Sequence, residues 1–462
     1  MDEAQPSDPV RLDGQKLEGG GQLVRIAVAL SALTGRPVTI DHIRGNRSGK
    51  RGLKASHLAA IKALGELSGS RLVKAQVGSC SVGFYPPPHE QGRPRHTNSE
   101  INIRLPTPGS VFLVFQALYP YLLHSDSADQ IRLSIVGGTN VSSSPSYDYV
   151  SQVLIPNFVR VGLPPISVHL EKRGWASEQG HLGKVIFAVD TLRGRRGGAS
   201  SHENPSIDLH QCRRGKISKI DITVLAPDDH LVTDTAGTTK SGSSKHGIRE
   251  DAAAELGENE KPETVREFME RYAHAAVRRR LRELPLDLFL RPQSERAGLE
   301  GKSHLVPVET HTTEATHRRS CLYVLFVAHT STGFKIGRDA LYGSLGRQPR
   351  TKRRQNKHGK EAKDRVEGLV DKCVEHFIRE LYDPLPHAQC RTSETPRHRP
   401  CVDEHMRDQL VIFEALGQAS VDKGQQERES REDERYWSLH TKTAQWVCRK
   451  MLGDSSSSDP GA

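Results

Sequence analysis

The chain has 462 residues, which exceeds the size of one ordinary compact core and predicts two or more domains. Lysine and arginine number 66 against 56 aspartate and glutamate. The net charge of +10 favours polyanionic partners such as RNA or nucleotide phosphates, although a solvated basic surface has the same composition. The 7 scattered cysteines fit a reducing compartment better than a disulfide framework. Because no apolar run approaches the ~20 residues of a membrane span, we expect no membrane partner.

The beginning of the chain predicts a unit of alternating strands and helices. Residues 11–14 predict a short strand and turn, and three glycines then lead into LVRIAVALSALTG, whose apolar spacing predicts a helix that ends at Gly35. Residues 37–43 alternate like a strand, and 56–67 predict a second helix after a basic loop at 44–54.

A weak internal repeat follows. GQLVRIAVAL at 21–30 is echoed by GSVFLVFQAL at 109–118 and by DQLVIFEAL at 408–416. Three related units would form a pseudo-symmetric α/β core. Any buried amphipathic helix can show such a pattern, so the two interpretations stand side by side.

The middle of the chain changes in composition. Residues 191–205 are rich in glycine, arginine and serine, and 234–262 predict a disordered excursion. Around them lie a strand, a helix and a strand candidate, at 216–225, 264–284 and 321–328. This order predicts a small α/β domain inserted within a larger one.

A basic run occupies residues 346–365. It is consistent with an RNA-binding loop, with a nuclear localisation signal, or with a solvated surface excursion. We expect the protein in the nucleus, in the nucleoplasm or nucleolus, with the cytoplasm as a second location.

Three blocks of sequence resemble the RNA 3'-terminal phosphate cyclase family, in its catalytic, eukaryotic-type branch. They are LDGQKLEGGGQLVRIAVALSALTG with IRGNRSGKRGLKASHL, GSVFLVFQALYP with GGTNVSSSPSYDYV, and VDEHMRDQLVIFEAL with SLHTKTA. The blocks follow the family's order and frame almost the whole chain. Their combination is far more specific than any one block.

The resemblance implies an α/β (α+β) fold with three pseudo-repeats of a four-stranded sheet carrying two helices, plus a smaller α/β domain inserted before the third repeat. The insert would contain the excursion 234–262, and the third repeat would carry the catalytic histidine. The expected bounds are a flexible tail at 1–10, core repeats one and two at 11–195, the insert at 196–336, repeat three at 337–453, and a flexible tail at 454–462.

The implied reaction converts an RNA 3'-terminal phosphate to a 2',3'-cyclic phosphodiester with ATP as co-substrate. A histidine takes AMP from ATP, passes it to the RNA phosphate, and the vicinal 2'-hydroxyl then expels AMP. His440 in SLHTKTA matches the family's nucleophile. A neutral imidazole suits this role because its ordinary pKa is about 6.5. Noncatalytic relatives that act in ribosome biogenesis lack this histidine, so its presence favours an enzyme.

Ten further residues match the family's site. A divalent cation, expected to be Mg2+, would lie at Glu18 or Asp408, and Asp408 could instead orient His440 by accepting its second ring proton. Plain structural roles compete with both: Asp408 could simply favour a helix dipole, and Gln116 could be satisfied in a core. The expected ATP-binding residues are Gln116, Pro145, His405, Asp408 and Gln409, and the phosphate- and RNA-binding residues are Glu18, Arg25, Arg44, Arg47 and His57.

One loop departs from the family pattern. The family's Gly-Leu-Arg-Pro-Gln-His is replaced by GLKASH at 52–57, so Lys54 keeps the charge but loses the bidentate fork of arginine. A noncatalytic, cyclase-like RNA-binding factor in ribosome biogenesis is therefore the alternative function. The related enolpyruvyl-transferase architecture is a third, but it leaves the SLHTKTA segment unexplained.

Overall fold

The structure is a computed structural model. It describes residues 8–47, 49–87, 99–127, 130–176, 181–192, 205–209, 212–231, 262–290, 306–342, 358–383, 400–420 and 436–453. The predicted tail 454–462, nearly all of the excursion 234–262 and the start of the basic run 346–365 lie outside these ranges.

The first unit is a four-stranded mixed sheet with two helices, as the resemblance implies. It includes the two strands and two helices that the sequence pattern predicts. Its sheet order is β1-β2-β4-β3, with β1 parallel to β2. Helix α1 ends at Gly35, whose φ of 71° suits a residue without a side chain. The elements are β1 (Val10–Asp13), α1 (Gly21–Thr34), β2 (Val38–Asp41), α2 (Ala55–Ser68), β3 (Arg71–Val73) and β4 (Val82–Tyr85).

The second unit repeats this arrangement. Its sheet order β5-β6-β8-β7 corresponds strand for strand to that of the first sheet, which confirms the internal repeat for these two units. Its elements are β5 (Glu100–Arg104), α3 (Val111–Leu123), β6 (Ile131–Gly137), α4 (Tyr147–Tyr149), which continues through a π-helical turn (Val150–Leu154) into α5 (Ile155–Arg160), then β7 (Ile166–Lys172) and β8 (Gly183–Val189).

The third sheet has a different order, β10-β9-β11-β12. The strands predicted at 216–225 and 321–328 and the helix predicted at 264–284 are confirmed within it. Its elements are β9 (Ile217–Pro227), α6 (Val265–Leu281), β10 (Val308–Thr316), β11 (Tyr323–Thr330), β12 (Lys335–Leu341) and α7 (His358–Leu381). Two further helices follow, α8 (Glu404–Ser420) and α9 (Leu439–Leu452).

The predicted mixed α/β fold with three four-stranded sheets is confirmed. The third sheet, however, takes its strands from residues 217–341, nearly all of which we assigned to the insert. Of the segment assigned to the third repeat, the described residues beyond 342 contain helices and no strand. Helices α8 and α9 bury their apolar sides against α3 and α1 instead, so their periodicity needs no sheet of their own. The domain bounds stay a prediction.

Two hydrophobic cores result. One joins the first two units to α8 and α9, and the other lies between the third sheet and helices α6 and α7. Arg173, just after β7, bridges the two by contacting Asp148 and Glu314, each at 2.8 Å. Tyr323, Asp339 and Leu341 of the third sheet reach the lining of the site described below. Among the described residues, no helix is long and apolar enough to cross a membrane.

Candidate active site

A cavity of about 540 Å³ lies between the start of α1, the loop before α2, helix α3 and the N-terminal ends of α8 and α9. The outermost of these elements, α1 and α9, begin more than 400 residues apart. The cavity contains all eleven predicted site residues: Glu18, Arg25, Arg44, Arg47, His57, Gln116, Pro145, His405, Asp408, Gln409 and His440. Their grouping is an observation, whereas the role of each stays a prediction.

His440 is the second residue of α9, whose N-terminus is capped by Ser438. Its Nδ1 lies 2.8 Å from Gln22 Oε1 and 3.7 Å from Glu18 Oε2. Because an amide oxygen only accepts hydrogen bonds, Nδ1 carries the proton and Nε2 keeps its lone pair. Nε2 has no hydrogen-bond partner in the part of the chain that the structure describes, so it is available for chemistry.

The electrostatic surroundings keep this imidazole neutral. Partial burial lowers the pKa of His440 below its ordinary value, and the guanidinium groups of Arg47 and Arg25 act in the same direction, against Asp408. At neutral pH the ring is therefore uncharged, which is the form that can attack an electrophile.

Asp408 supports His440 in a different way from the one predicted. Its Oδ1 accepts hydrogen bonds from Ser438 Oγ at 2.7 Å and from Thr441 Oγ1. The expected orienting contact to the His440 ring is made by Gln22 instead, because Asp408 is occupied by the first turn of α9. Burial raises the pKa of Asp408 to about 6. The carboxylate therefore fixes the start of the helix that carries His440.

Cations dominate one end of the cavity. Arg25, Arg44, Arg47 and Lys54 line it together, and Glu18 forms an ion pair with Arg47. Within the described ranges, Arg25, Arg44 and Lys54 have no carboxylate partner. Burial lowers the pKa of Arg25 to about 10, which still leaves it charged at neutral pH. Four cations against one carboxylate make a site for anions such as phosphates.

His57 lies inside this cationic end as a neutral ring. Burial, followed by the charges of Arg25, Lys54 and Arg44, lowers the pKa of His57 to about 3. Its Nδ1 accepts from the Lys54 backbone N–H at 3.3 Å, so Nε2 carries the proton and is a donor.

The glycine run before α1 is explained by close packing. A Cβ at Gly20 would lie 2.0 Å from Glu18 Oε1, and a Cβ at Gly21 would lie 2.3 Å from His57 Nε2. Side chains at these positions would push Glu18 and His57 out of the cavity. The glycines therefore admit two predicted site residues, beside any role in binding an anion through the backbone.

The cavity lining also contains buried amides without partners. Gln116 Nε2 and Asn140 Nδ2 have no hydrogen-bond partner among the described residues. Leaving such donors unpaired costs about 1–3 kcal/mol each, so their presence in a cavity wall indicates a polar ligand. Nearby, His405 Nε2 lies 2.6 Å from Arg338 Nη1 and accepts its hydrogen bond.

Several lining residues were missed from sequence. Gln22 gave a usable signal, because it is a polar residue on the buried side of an apolar helix, as Gln116 is. Asp339 gave none, since its strand comes from a segment that seemed remote from the site. The missed residues include Gln22, Asn140, Ser146, Tyr149, Tyr323, Asp339 and Glu404, together with Lys54, which we noted only for its charge.

A sequence model of the RNA 3'-terminal phosphate cyclase family matches residues 16–456. The chain belongs to this family. This confirms the resemblance drawn from the three sequence blocks, while the eukaryotic-type branch stays a prediction.

Individual relatives match a shorter stretch. A protein named RNA 3'-terminal phosphate cyclase from Thermococcus onnurineus is 41% identical over 185 residues, which cover 40% of this chain and 50% of that protein. Proteins of the same name from Ralstonia nicotianae and Methylococcus capsulatus are 33% and 37% identical over 216 and 192 residues. These matches cover 47% and 40% of this chain. The chain thus spans about half the length of the relatives it matches, 56% and 50% in these two cases.

Proposed function

We propose that this protein uses ATP to convert an RNA 3'-terminal phosphate to a 2',3'-cyclic phosphodiester, through a His440–AMP intermediate and an RNA adenylate. The observation that carries the proposal is the state of His440: its Nδ1–H donates to Gln22, its Nε2 lone pair is free, and four cations lie in the same cavity.

In the first step, His440 Nε2 attacks the α-phosphorus of ATP. A nitrogen–phosphorus bond forms, the bond to the bridging oxygen breaks, and pyrophosphate leaves. The ring becomes cationic, and its Nδ1–H donates to Gln22 Oε1 with Glu18 close by, so both acceptors favour this charge. Arg25, Arg44, Arg47 and Lys54 are placed to hold the triphosphate.

The second step transfers the AMP to the RNA, and the third step releases it. An oxygen of the RNA 3'-phosphate attacks the AMP phosphorus and restores neutral His440. The vicinal 2'-hydroxyl then attacks the activated RNA phosphorus, loses its proton and expels AMP. The same cations would hold the RNA phosphate, because activation leaves it anionic.

A Mg2+ ion fits the residues present. Glu18 Oε1 and Oε2 are buried and accept no hydrogen bond, apart from the ion pair with Arg47. The described residues contain no group of three or more metal-ligating side chains, but Mg2+ commonly needs only one or two carboxylates beside substrate phosphates. When bound, the ion would neutralise phosphate charge. Glu18 is the better candidate because two hydroxyls already engage Asp408.

The test uses ATP labelled at its α-phosphate and measures the transfer of the label to the protein. We expect an acid-labile, base-stable adduct on the protein that disappears in His440→Ala and His440→Asn. His311→Asn is the matched control, since His311 is exposed on β10 and bonded to Thr312. Label retained on the His440 variants would refute the assignment.

The same assay distinguishes the proposed enzyme from the alternative function. A noncatalytic RNA-binding factor in ribosome biogenesis would use the basic cavity to bind RNA and would take no label, and the replacement of arginine by Lys54 gives this alternative its support. Both functions agree with the nuclear location that the basic run 346–365 leads us to propose.

A further inference from the structure

Asp339 brings a carboxylate from the third sheet into the cavity wall. Its Oδ2 accepts hydrogen bonds from Ser146 Oγ at 2.9 Å and from the Tyr323 hydroxyl at 3.1 Å. Its Oδ1 has no hydrogen-bond partner within the described ranges. Burial raises the pKa of Asp339 to about 6, so at neutral pH the group is mostly ionised and only accepts hydrogen bonds.

This carboxylate lies away from the cationic end. Arg25, Arg44, Arg47 and Lys54 act on one another and on the two histidines His57 and His440. The charged groups that act on Asp339 are Arg338 and Asp148 instead. The cavity therefore has a phosphate-binding end and an end with a hydrogen-bond acceptor.

Two residues predicted to contact ATP lie at the acceptor end. Pro145 directly precedes Ser146, which donates to Asp339. His405 packs edge-on against Tyr149, with ring centroids 6.2 Å apart, and Tyr149 lines the cavity together with Asp339. A nucleoside triphosphate with its phosphates among the cations would thus place its base between these residues and the free carboxylate oxygen.

We propose that Asp339 Oδ1 accepts a hydrogen bond from the 6-amino group of adenine and makes the site select ATP over purine nucleotides with a 6-carbonyl group. The inference rests on the proposed function, because it requires that the cavity binds ATP. Adenine presents a donor at this position, whereas a 6-oxo purine presents lone pairs that a carboxylate repels. Sites built to bind a polar hydrogen strongly reject analogues that lack it.

The substitution Asp339→Asn should exchange acceptor for donor. The amide oxygen can take the place of Oδ2 and keep the hydrogen bonds from Ser146 and Tyr323, which leaves the amide NH2 in the place of Oδ1. We therefore expect the variant to fold, and to prefer a 6-carbonyl over a 6-amino group.

The experiment measures equilibrium binding of ATP, inosine triphosphate and purine riboside triphosphate to the full chain. Wild type should bind ATP about ten- to a hundredfold more tightly than purine riboside triphosphate, which only lacks the amino group. Asp339→Asn should lose this preference and bind inosine triphosphate more tightly than ATP. Tyr323→Phe is the matched control, because it removes one donor to Oδ2 and should keep the preference for ATP.

The wild-type comparison of ATP with purine riboside triphosphate needs no variant, and equal affinities would overturn the inference. An unchanged preference for ATP in a folded Asp339→Asn variant would overturn it too. A preference that instead follows the ribose hydroxyls, with 2'- or 3'-deoxy-ATP weakened in wild type but not in the variant, would show that Asp339 reads the sugar. If wild type binds ATP and takes the label, the proposed function stands whatever the base preference. If it binds no nucleoside triphosphate, both fall.

Discussion

Replacing Gln22 with leucine would remove the oxygen that accepts from His440 Nδ1 at 2.8 Å. In the proposed reaction the ring is neutral before it attacks ATP and cationic afterwards. A hydrogen bond to a neutral group contributes about 0.5–1.5 kcal/mol, and one to a charged group about 1.5–3 kcal/mol. The difference, roughly 1–1.5 kcal/mol, falls on the transition state, where the ring charge develops. Since 1.36 kcal/mol corresponds to a factor of ten, we expect adenylylation to slow about tenfold.

The pH dependence gives a second, independent readout. The Gln22 oxygen stabilises the protonated ring more than the neutral one, so its loss should lower the pKa of His440. Attack requires the neutral ring, and the rate plateau should therefore begin at lower pH in Gln22→Leu. Gln22→Glu places a negative charge beside Nδ1, raises the pKa of His440, and should move the start of the plateau to higher pH.

The assay is single-turnover labelling of the protein with α-labelled ATP, repeated across pH. Gln130→Leu is a suitable control, because Gln130 donates to Asp190 at 2.7 Å on the exposed surface and does not line the cavity. Opposite shifts for leucine and glutamate at position 22 cannot arise from general disruption. If Gln22→Leu has the same midpoint in its curve of labelling rate against pH as wild type, and the same rate at the plateau, the idea that this amide sets the reactive tautomer is refuted.

Three further predictions concern packing, pH and the basic run. Gly21→Ala should destabilise the fold by about 1–3 kcal/mol in thermal unfolding, because the new Cβ would lie 2.3 Å from His57 Nε2. Gly368→Ala is the control: no heavy atom lies within 4 Å of its Cβ, so it should stabilise helix α7 by about 0.5–1 kcal/mol. Because burial raises the pKa of Asp408 to about 6, its contribution to folding stability should be greatest at low pH and decline as pH rises through about 6; Asp408→Asn should flatten that part of the curve of unfolding free energy against pH. A triple alanine variant at Lys352, Arg353 and Arg354, which lie outside the described residues, should weaken RNA binding and flatten its salt dependence; unchanged binding would favour nuclear import, tested by whether the variant stays in the cytoplasm.

Several local elements could be predicted because each has its own pattern. Apolar periodicity and Gly35 define α1, and alternation defines β2. The third sheet could not be placed from sequence, because strand patterns do not say which strands pair or against which helices they pack. Its order, β10-β9-β11-β12, differs from that of the first two sheets.

The site residues also fall into two groups, those that sequence could identify and those that it could not. Residues in recognisable motifs, such as His440 and Arg47, could be named in advance. Partners fixed by long-range packing could not: Gln22 meets His440 across 418 positions, and Asp339 meets Ser146 across 193. A sequence pattern names chemical groups, but the tautomer of His440 and the free oxygen of Asp339 depend on which neighbours the fold provides.

The internal repeat gives a physical reason why the site lies where it does. The segments GQLVRIAVAL, GSVFLVFQAL and DQLVIFEAL form α1, α3 and α8, and α3 contacts both of the others. Each repeated segment brings polar side chains into the cavity, among them Gln22, Gln116 and Asp408. Buried polar groups need partners, so three such helices packed together must either satisfy one another or surround a ligand. Here Gln22 and Asp408 support His440 and its helix, while Gln116 Nε2 is left without a partner among the described residues. The repeat thus supplies both the frame that holds the proposed nucleophile and an unmet donor for a polar ligand.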